Sequence, residues 1–246
     1  MKPSTSPFSS LFLGTQPTQR VVESEWLDEL PPDDARAVGS RRDLRRLNWL
    51  MRHAVNFQVA LARGLRHPPK VIVELGAGDG TLMLNLAAQM HAHWPGVRVI
   101  LVDRQRAATH STLQRFRDFD WQAEMVVADA FDWLADDHVE ADAVLANLFL
   151  HHFENHRLIE LLQLVAQRTR LFAACETRRD WPSFAVSRLL GLIGCNSVTR
   201  HDAFLSMKAG FLNDDLSSLW PKRDEWELSE RRAVVFTHLF VARRKS

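Results

Sequence analysis

The feature that most limits the fold of this chain is an apolar run that leads directly into a series of glycines. Val71–Leu75 has the composition of a buried β-strand, and a helical pattern begins at Thr81. The glycines between them are Gly76, Gly78 and Gly80. Glycines in this position allow a sharp turn and let backbone amides at a helix start approach a ligand closely. The sequence therefore predicts a strand, a tight loop and a helix that together bind a nucleotide-like ligand.

From residue 70 onward, short apolar runs alternate with segments of helical length. The predicted strands are Val71–Leu75, Val97–Val102, Met125–Ala128, Ala141–Ala146 and Leu171–Cys175. The predicted helices are Thr81–Ala92, Gln105–Phe116, Phe131–Leu134, Asn155–Gln167 and Ser183–Ile193. Alternation of this kind is typical of βαβ units, and it predicts an α/β fold with a mostly parallel, doubly wound sheet. The last two apolar runs, Trp226–Leu228 and Val234–Ala242, are too close together for a helical crossover and should pair antiparallel.

The N-terminal part has a different pattern. We expect residues 1–20 to be a disordered tail, residues 21–66 to form an N-terminal helical cap, and residues 67–246 to form the α/β domain. Asp33 or Asp34 can cap a first helix, which Gly39 and Ser40 are expected to interrupt. Apolar residues then recur at helical spacing over 41–65, which predicts one longer amphipathic helix.

Composition narrows the classes of partner and compartment. A formal net charge of +1 gives no long-range attraction to a phosphate polymer, so we expect no nucleic-acid partner. Cys175 and Cys195 lie in apolar surroundings, as expected of buried thiols in a reducing compartment. Charged residues interrupt every apolar stretch before it reaches the ~20 residues that a membrane span needs, and we expect a cytoplasmic protein. No cluster of cysteines and histidines has the spacing of a metal site.

The loop spacing and the residue before it discriminate between two nucleotide cofactors. A dinucleotide fingerprint needs glycine or alanine at the position of Thr81. Glu74, directly before the loop, would repel a pyrophosphate but suits a ligand with an ammonium and a sulfonium charge. The segment VIVELGAGDGTL resembles motif I of the class I S-adenosylmethionine-dependent methyltransferases.

This resemblance extends over 70–243 and implies a Rossmann-like sheet of seven strands with an antiparallel last strand. It also implies S-adenosylmethionine as the cofactor, with Asp103 on the ribose hydroxyls and Asp129 on the adenine amino group. The cofactor-binding residues that it implies are Glu74, Gly76, Ala77, Gly78, Gly80, Asp103, Arg104, Asp129, Ala130, Phe131, Asn147 and Leu148.

Candidate catalytic and acceptor-binding residues follow the fourth and fifth predicted strands. His151 or His152 could accept a proton from the methyl acceptor, although a loop histidine can also simply pack or cap the next helix. Arginines can bind a carboxylate or phosphate in bidentate fashion, although exposed arginines are more often only solvated. The candidate substrate-binding residues are Arg178, Arg179, Arg200 and His201.

The function predicted from the sequence is methyl transfer to a small molecule. The acceptor would be a phenolic, quinone-like or polyketide compound, methylated at oxygen or at carbon. The segments ACETRRD and TRHDAFLSMKAGF resemble bacterial methyltransferases of polyketide and phenolic-lipid pathways, which favours a small acceptor. The alternatives are a protein or RNA methyltransferase and a non-catalytic partner protein that binds S-adenosylmethionine. The sequence leaves open the acceptor, the use of a general base and the formation of a homodimer.

Overall fold

The computed structural model of this chain describes residues 19–31, 33–136, 139–233 and 236–245. Its strands are β1 (Val71–Leu75), β2 (Arg98–Asp103), β3 (Gln122–Val127), β4 (Ala143–Asn147), β5 (Leu171–Thr177), β6 (Trp226–Arg232) and β7 (Thr237–Arg244). Its helices are α1 (Trp26–Glu29), α2 (Ala35–Leu50), α3 (His53–Gly64), α4 (Thr81–Met90), α5 (His110–Arg115), α6 (Ala130–Ala135), α7 (Asn155–Arg168), α8 (Trp181–Ser187), α9 (Ser197–Lys208) and α10 (Asp215–Leu219). A short 3₁₀ turn, Leu150–His152, follows β4.

The described strands form one seven-stranded sheet in the order β3-β2-β1-β4-β5-β7-β6. The first five strands are parallel, and β7 lies antiparallel between β5 and β6. This confirms the predicted Rossmann-like, mostly parallel sheet with an antiparallel last strand. The chain order reverses between β1 and β4, so the carboxyl ends of these two strands flank the crevice where sheets of this type bind ligands.

Helices cover both faces of the sheet, which explains why β1 and β4 read as continuous apolar runs. On one face, Phe57 and Leu61 of α3 pack with α4 in a fully buried core. On the other face, Leu158 and Leu162 of α7 pack against the strand residues whose side chains point to that face. The division into a cap at 21–66 and a domain from 67 stays a prediction, and α3 contributes directly to the core of the α/β part.

The N-terminal helices correct two of the sequence predictions. Gly39 and Ser40 do not interrupt a helix, because α2 passes through both, and Ser40 is buried where its hydroxyl accepts a hydrogen bond from Thr199 of α9. The predicted long helix over 41–65 is instead broken at Arg52, which has a left-handed φ of 54°. Asp34 is one of the two residues that the sequence predicts as a cap for this helix. Its side chain accepts a hydrogen bond from the amide of Arg36 at the start of α2.

Several element boundaries differ from prediction because side chains cap the helices elsewhere. The helix predicted from Gln105 begins at His110, since the Asp103 carboxylate holds the Gln105 amide in a turn and Thr109 caps α5. The helix predicted over Ser183–Ile193 is α8, which Asp180 caps and which ends at Ser187. Strand β3 starts earlier than predicted, and β5 continues past Cys175 because it pairs with β7 as far as Thr177.

The C-terminal hairpin is antiparallel as predicted, although residues 234 and 235 of its second predicted run lie outside the described residues. Residues 1–18 of the predicted tail also lie outside them. Cys175 and Cys195 are buried free thiols, as the sequence predicts. Among the described helices, none combines the length and apolar character that crossing a membrane requires.

Candidate active site

The glycine loop connects β1 to α4 at the carboxyl edge of the sheet. Gly76, Gly78 and Gly80 have φ values of 66°, 54° and 73°, a region that side-chain-bearing residues rarely adopt. A Cβ at Gly76 would lie 2.3 Å from the Phe149 ring, whereas a Cβ at Gly78 would meet no atom within 4 Å. Gly76 is therefore required by internal packing, and Gly78 leaves its backbone open to a ligand.

Asp103, at the end of β2, holds the loop from one side. Its carboxylate accepts hydrogen bonds from the amides of Gly78 and Gln105, each at 2.8 Å. The carboxylate is half-buried, so part of it still faces the crevice. The neighbouring Arg104 is exposed. Asp103 therefore lies where a ligand on the Gly78 backbone would contact it.

Glu74, the last residue but one of β1, has an unusual environment. Its side chain is buried, and its Oε2 atom has no hydrogen-bond partner among the residues that the structure describes. Burial, together with the negative charges of Asp79 and Asp103, raises the pKa of Glu74 well above its ordinary value. The loop thus collects three carboxyl groups, and a ligand with positive charge would relieve their repulsion. The chemistry of this donor set fits a ligand that carries ammonium and sulfonium groups.

The next two strands end in the other predicted cofactor residues. Asp129 follows β3 and caps α6 by accepting from the amide of Phe131 at 2.8 Å. Asn147 ends β4 with a buried Oδ1 atom that has no partner among the described residues, and Leu148 turns the chain with a φ of 50°. The structure thus brings the ends of β1 to β4 together at one edge, with Ala77 and Ala130 buried beside them. Binding of a cofactor by these residues stays a prediction.

Aromatic rings line the side of the crevice that faces α7. Phe149 and Phe153 lie edge to face with ring centroids 5.0 Å apart, and Phe153 lies 5.4 Å from Phe131 in the same way. The Arg157 guanidinium stacks on Phe131 at 3.8 Å. The sequence analysis assigned Phe131 but missed Phe149 and Phe153, because the turn after β4 cannot be oriented from sequence. We call these three phenylalanines the aromatic wall.

His151 is buried between two glutamates. Its Nδ1 atom lies 2.7 Å from Glu176, at the end of β5, and its Nε2 atom lies 3.4 Å from Glu25. Burial lowers the pKa of His151, but the hydrogen bonds and charges of Glu176 and Glu25 outweigh burial and raise its pKa to about 10. At neutral pH the ring is therefore an imidazolium without a free lone pair. The geometry favours a structural role over the predicted role as a base.

His152 faces a different environment. Its side chain is 27% exposed, and its Nδ1 atom lies 3.5 Å from Asp28 of α1. Burial and the positive charge of His151 lower the pKa of His152, so the ring is neutral and keeps a lone pair. Of the two predicted bases, His152 is the one whose protonation state suits the role.

The residues 19–30, which we call the strap, cross this edge of the sheet. The Arg20 guanidinium donates to the carbonyl oxygens of Phe153 and Ala209. The amides of Trp26 and Leu27 donate to the buried carboxylate of Asp202 in α9. The strap therefore fastens the turn after β4 to α9, and sequence analysis missed it because its partners lie more than a hundred residues away.

His201 is part of this fastening. Its ring stacks on the indole of Trp26 with centroids 3.7 Å apart, and its Nδ1 atom lies 2.9 Å from Asp202. Glu25 of the strap also accepts from the Ser206 hydroxyl of α9. The structure thus places His201 against the strap, at the outer side of the crevice.

The three predicted arginines are engaged by neighbouring groups. Arg178 donates to Asp180 at 2.7 Å, and the buried Arg179 donates to Asp215 and to the Gly210 carbonyl. Arg200 is exposed and contacts the carbonyl of the residue that caps its own helix. These contacts explain the arginines as parts of the scaffold, and a role in acceptor binding stays a prediction.

A fourth histidine, His53, lies at the same edge and was not identified by sequence analysis. It is fully buried at the start of α3, with its Nε2 atom 3.0 Å from the Thr237 hydroxyl of β7. Burial lowers the pKa of His53 to about 4, and the nearby Glu176 charge and Asn147 side chain offset this only in part. His53 is therefore a neutral imidazole at physiological pH.

A family model described as a methyltransferase domain matches residues 72–170. The matched segment begins in β1, contains the glycine loop and Asp103, and ends after α7. No curated protein matches the sequence of this chain.

Solved structures that share the fold include several methyltransferases. The plantazolicin methyltransferase BpumL, in complex with a monoazolic desmethylPZN analog and SAH, has a TM-score of 0.65 at 14% identity, covering 89% of this chain and 93% of that chain. An O-methyltransferase family protein from Burkholderia thailandensis has a TM-score of 0.57 at 17% identity, covering 87% of this chain and 61% of that chain. LaPhzM has the same TM-score and identity over 90% of this chain and 62% of that chain.

Proposed function

We propose that this chain, which is a class I S-adenosylmethionine-dependent methyltransferase, methylates a small aromatic acceptor of phenolic, quinone-like or polyketide type. One observation carries the proposal. The glycine loop lies next to the aromatic wall, and the strap crosses the same edge. At this loop the Glu74 Oε2 atom has no hydrogen-bond partner among the described residues. A site for a cationic cofactor thus adjoins an apolar, aromatic surface of the kind that binds flat organic molecules.

The predicted cofactor residues fit S-adenosylmethionine in this crevice. Gly76, Gly78 and Gly80 give the loop its shape, and the carboxylate of Asp103, which accepts from the Gly78 amide, is the proposed partner of the ribose hydroxyls. Burial and the charges of Asp79 and Asp103 raise the pKa of Glu74, and the positive charge of a bound ligand would favour its ionised form. S-adenosylmethionine, when bound, supplies the methyl group on a sulfonium. The remaining protein contribution is alignment of the acceptor and exclusion of water by the strap and α3.

The position of the strap supports a small acceptor over a polymer. Arg20, Trp26 and Leu27 of the strap are held by the turn after β4 and by α9, so the strap occupies space at this edge that an open groove for a polymer would need. The net charge of +1 also disfavours RNA. Solved structures of the same fold described as O-methyltransferases, and one that holds an azole compound, support the same choice.

A label-transfer assay tests the proposed function. The purified chain is incubated with S-adenosylmethionine carrying a deuterated methyl group, together with phenols, hydroxyquinones, a peptide mixture or total RNA. We expect label in the hydroxylated aromatic compounds and none in peptide or RNA. Label in peptide or RNA would establish the alternative acceptor class. A chain that binds the cofactor and labels nothing would support a non-catalytic partner protein.

The Asp103→Ala variant tests the assignment of the ribose site. Loss of a charged acceptor should weaken binding of S-adenosylmethionine by about 1–3 kcal/mol, both directly and through the Gly78 amide that Asp103 positions. Calorimetry measures the affinity, and thermal melting shows whether the fold persists. The matched control is Asp132→Ala, which removes an exposed carboxylate of α6. Equal affinities for both variants would remove Asp103 from the site.

A further inference from the structure

Helix α2 fully buries only small or polar side chains and exposes several large apolar ones, the reverse of the usual arrangement of a surface helix. Its buried residues are Ala37, Ser40 and Asp43. The Ser40 hydroxyl accepts from Thr199 of α9 at 3.0 Å. The Asp43 carboxylate accepts from the amide of Asn196, which caps α9, at 2.8 Å. Hydrogen bonds therefore attach α2 to α9 without the use of its exposed apolar side chains.

The last turn of α2 carries two exposed apolar residues beside exposed arginines. Trp49 is 76% exposed, and Leu50 is also exposed. Arg42 and Arg46 are exposed and precede Trp49 at intervals that place the three side chains on one face of the helix. An indole is a large apolar group, and leaving it in water forgoes the free energy that its burial would give.

The segment 188–196, between α8 and α9, presents a second set of exposed apolar residues. Backbone hydrogen bonds close it into turns, among them a bond from the Cys195 amide to the Leu190 carbonyl at 3.1 Å. Leu190 and Cys195 are buried, whereas Ile193 is exposed and Leu192 is 83% exposed. The segment thus presents two apolar side chains outward from a hydrogen-bonded backbone.

The exposed face of α2 and the segment 188–196 are in direct contact. The Arg46 guanidinium donates to the Ile193 carbonyl oxygen at 3.0 Å. Trp49 lies one helical turn beyond Arg46, and Leu192 is the neighbour of Ile193 in the chain. These side chains therefore belong to one surface. We call it the α2 patch and define it by Arg42, Arg46, Trp49, Leu192 and Ile193.

The charge around the α2 patch is positive, although the whole chain has a formal net charge of only +1. Helix α2 carries five arginines, and the segment 188–196 carries Arg188. The only carboxylate of these two segments is Asp43, which is buried. Carboxylates outside them pair with Arg36 and Arg45, which still leaves an excess of positive charge at the patch. A partner for this surface should therefore be anionic.

Exposed apolar side chains among arginines match the surface of an anionic lipid bilayer. Tryptophan and leucine insert at the boundary between headgroups and acyl chains, and arginines bind the anionic headgroups. Trp49 and Leu192 each keep more than three-quarters of their surface exposed, so they project from the protein instead of lining a groove for a peptide. Projecting side chains suit insertion into a lipid surface.

We propose that the α2 patch attaches this chain to the surface of an anionic lipid bilayer. Trp49 and Leu192 enter the boundary between headgroups and acyl chains, while Arg42 and Arg46 bind the phosphate groups of the lipids. The inference goes beyond methyl transfer and does not rest on it, because attachment to a bilayer requires neither the cofactor nor an acceptor.

Flotation of the full chain with lipid vesicles tests the proposal. One set of vesicles contains phosphatidylcholine alone, and the other contains equal parts of phosphatidylcholine and phosphatidylglycerol. We expect binding to the anionic vesicles only, and weaker binding as sodium chloride is added. The variants Trp49→Ser and Leu192→Ser should each weaken binding on the order of tenfold, because inserted apolar surface is lost. Arg42→Gln should weaken it about fivefold, because one headgroup contact is lost.

Matched controls are Ile159→Ser on α7 and Arg117→Gln before β3, since both side chains are exposed on elements outside the patch. Both controls should bind vesicles as the wild type does. Failure of the wild type to bind anionic vesicles, or equal binding by all five variants, would overturn the inference. A dimer in light scattering that Leu192→Ser converts to a monomer, without vesicle binding, would instead assign the patch to a second copy of the chain. Vesicle binding by a wild type that fails in the label-transfer assay would overturn only the proposed function.

Discussion

The His151→Ala substitution is expected to lower the free energy of unfolding by about 3–5 kcal/mol, the usual effect of leaving a buried charge without its partner. Glu176 is fully buried, and its carboxylate accepts from the amides of Phe149 and Leu150 as well as contacting His151. Removal of the imidazolium would leave this carboxylate uncompensated at the centre of the site. Urea unfolding at neutral pH measures the loss.

The contact between His151 and Glu176 makes the free energy of unfolding depend on pH in a defined direction. The folded protein raises the pKa of His151 from its ordinary value of 6.5 to about 10, so it holds this proton more tightly than the unfolded chain does. The stabilisation is therefore complete below pH 6.5 and is lost as the pH rises towards about 10. His151 lowers the pKa of Glu25 to about 2 against the effect of burial, so the strap loses this contact only in strong acid.

The matched control for His151 is His156→Ala, because the side chain of His156 is 72% exposed at the start of α7. We expect wild type and His156→Ala to lose stability in parallel between neutral pH and pH 10. The His151→Ala variant should start from a lower stability and change less over this range. A His151→Ala variant as stable as wild type, with the same pH profile, would contradict the buried imidazolium.

Removal of the strap is expected to abolish most of the methyl transfer while leaving the cofactor site intact. A chain that begins at Pro31 lacks Glu25, which contacts His151, and Trp26, which stacks on His201 of α9, together with the rest of the strap. Loss of alignment and of water exclusion should lower kcat/KM for the acceptor on the order of 10²-fold or more. Label transfer measures this, and calorimetry with S-adenosylhomocysteine should show unchanged affinity.

A second, shorter truncation distinguishes the effect of losing the strap from the effect of losing the residues before it. A chain that begins at Gln19 keeps Arg20, Glu25 and Trp26 and should be as active as the full chain. Truncation at Gly64 is unsuitable, because it removes Phe57 and Leu61 from the core. Full activity of the chain that begins at Pro31 would show that the strap does not enclose the acceptor.

The features that could be predicted from sequence are those that short local patterns determine. The strand before Gly76, the acidic residue that ends β2 and the one that follows β3 could be located because each lies at a fixed place relative to an apolar run. The mostly parallel character of the sheet followed from the alternation of strands and helices, and the crevice from the edge where the glycine loop lies.

The remaining site residues depend on contacts between distant parts of the chain. Glu25 and Glu176 stabilise the positive charge on His151, and sequence spacing gives no sign of either contact. His53 reaches the site only because α2 and α3 are separated at Arg52 and α3 then runs antiparallel to β5. Both facts are tertiary, so local sequence patterns do not reveal them.

Calorimetric titration of the full chain tests the central claim, that this crevice binds S-adenosylmethionine, most directly. Separate titrations with S-adenosylmethionine, S-adenosylhomocysteine and a nicotinamide dinucleotide compare the two classes of ligand that glycine loops bind. The buried carboxyl group of Glu74, the open backbone of Gly78 and the carboxylate of Asp103 predict micromolar-range affinity for the first two ligands and none for the dinucleotide. Binding of the dinucleotide without binding of either methionine-derived ligand would contradict the account.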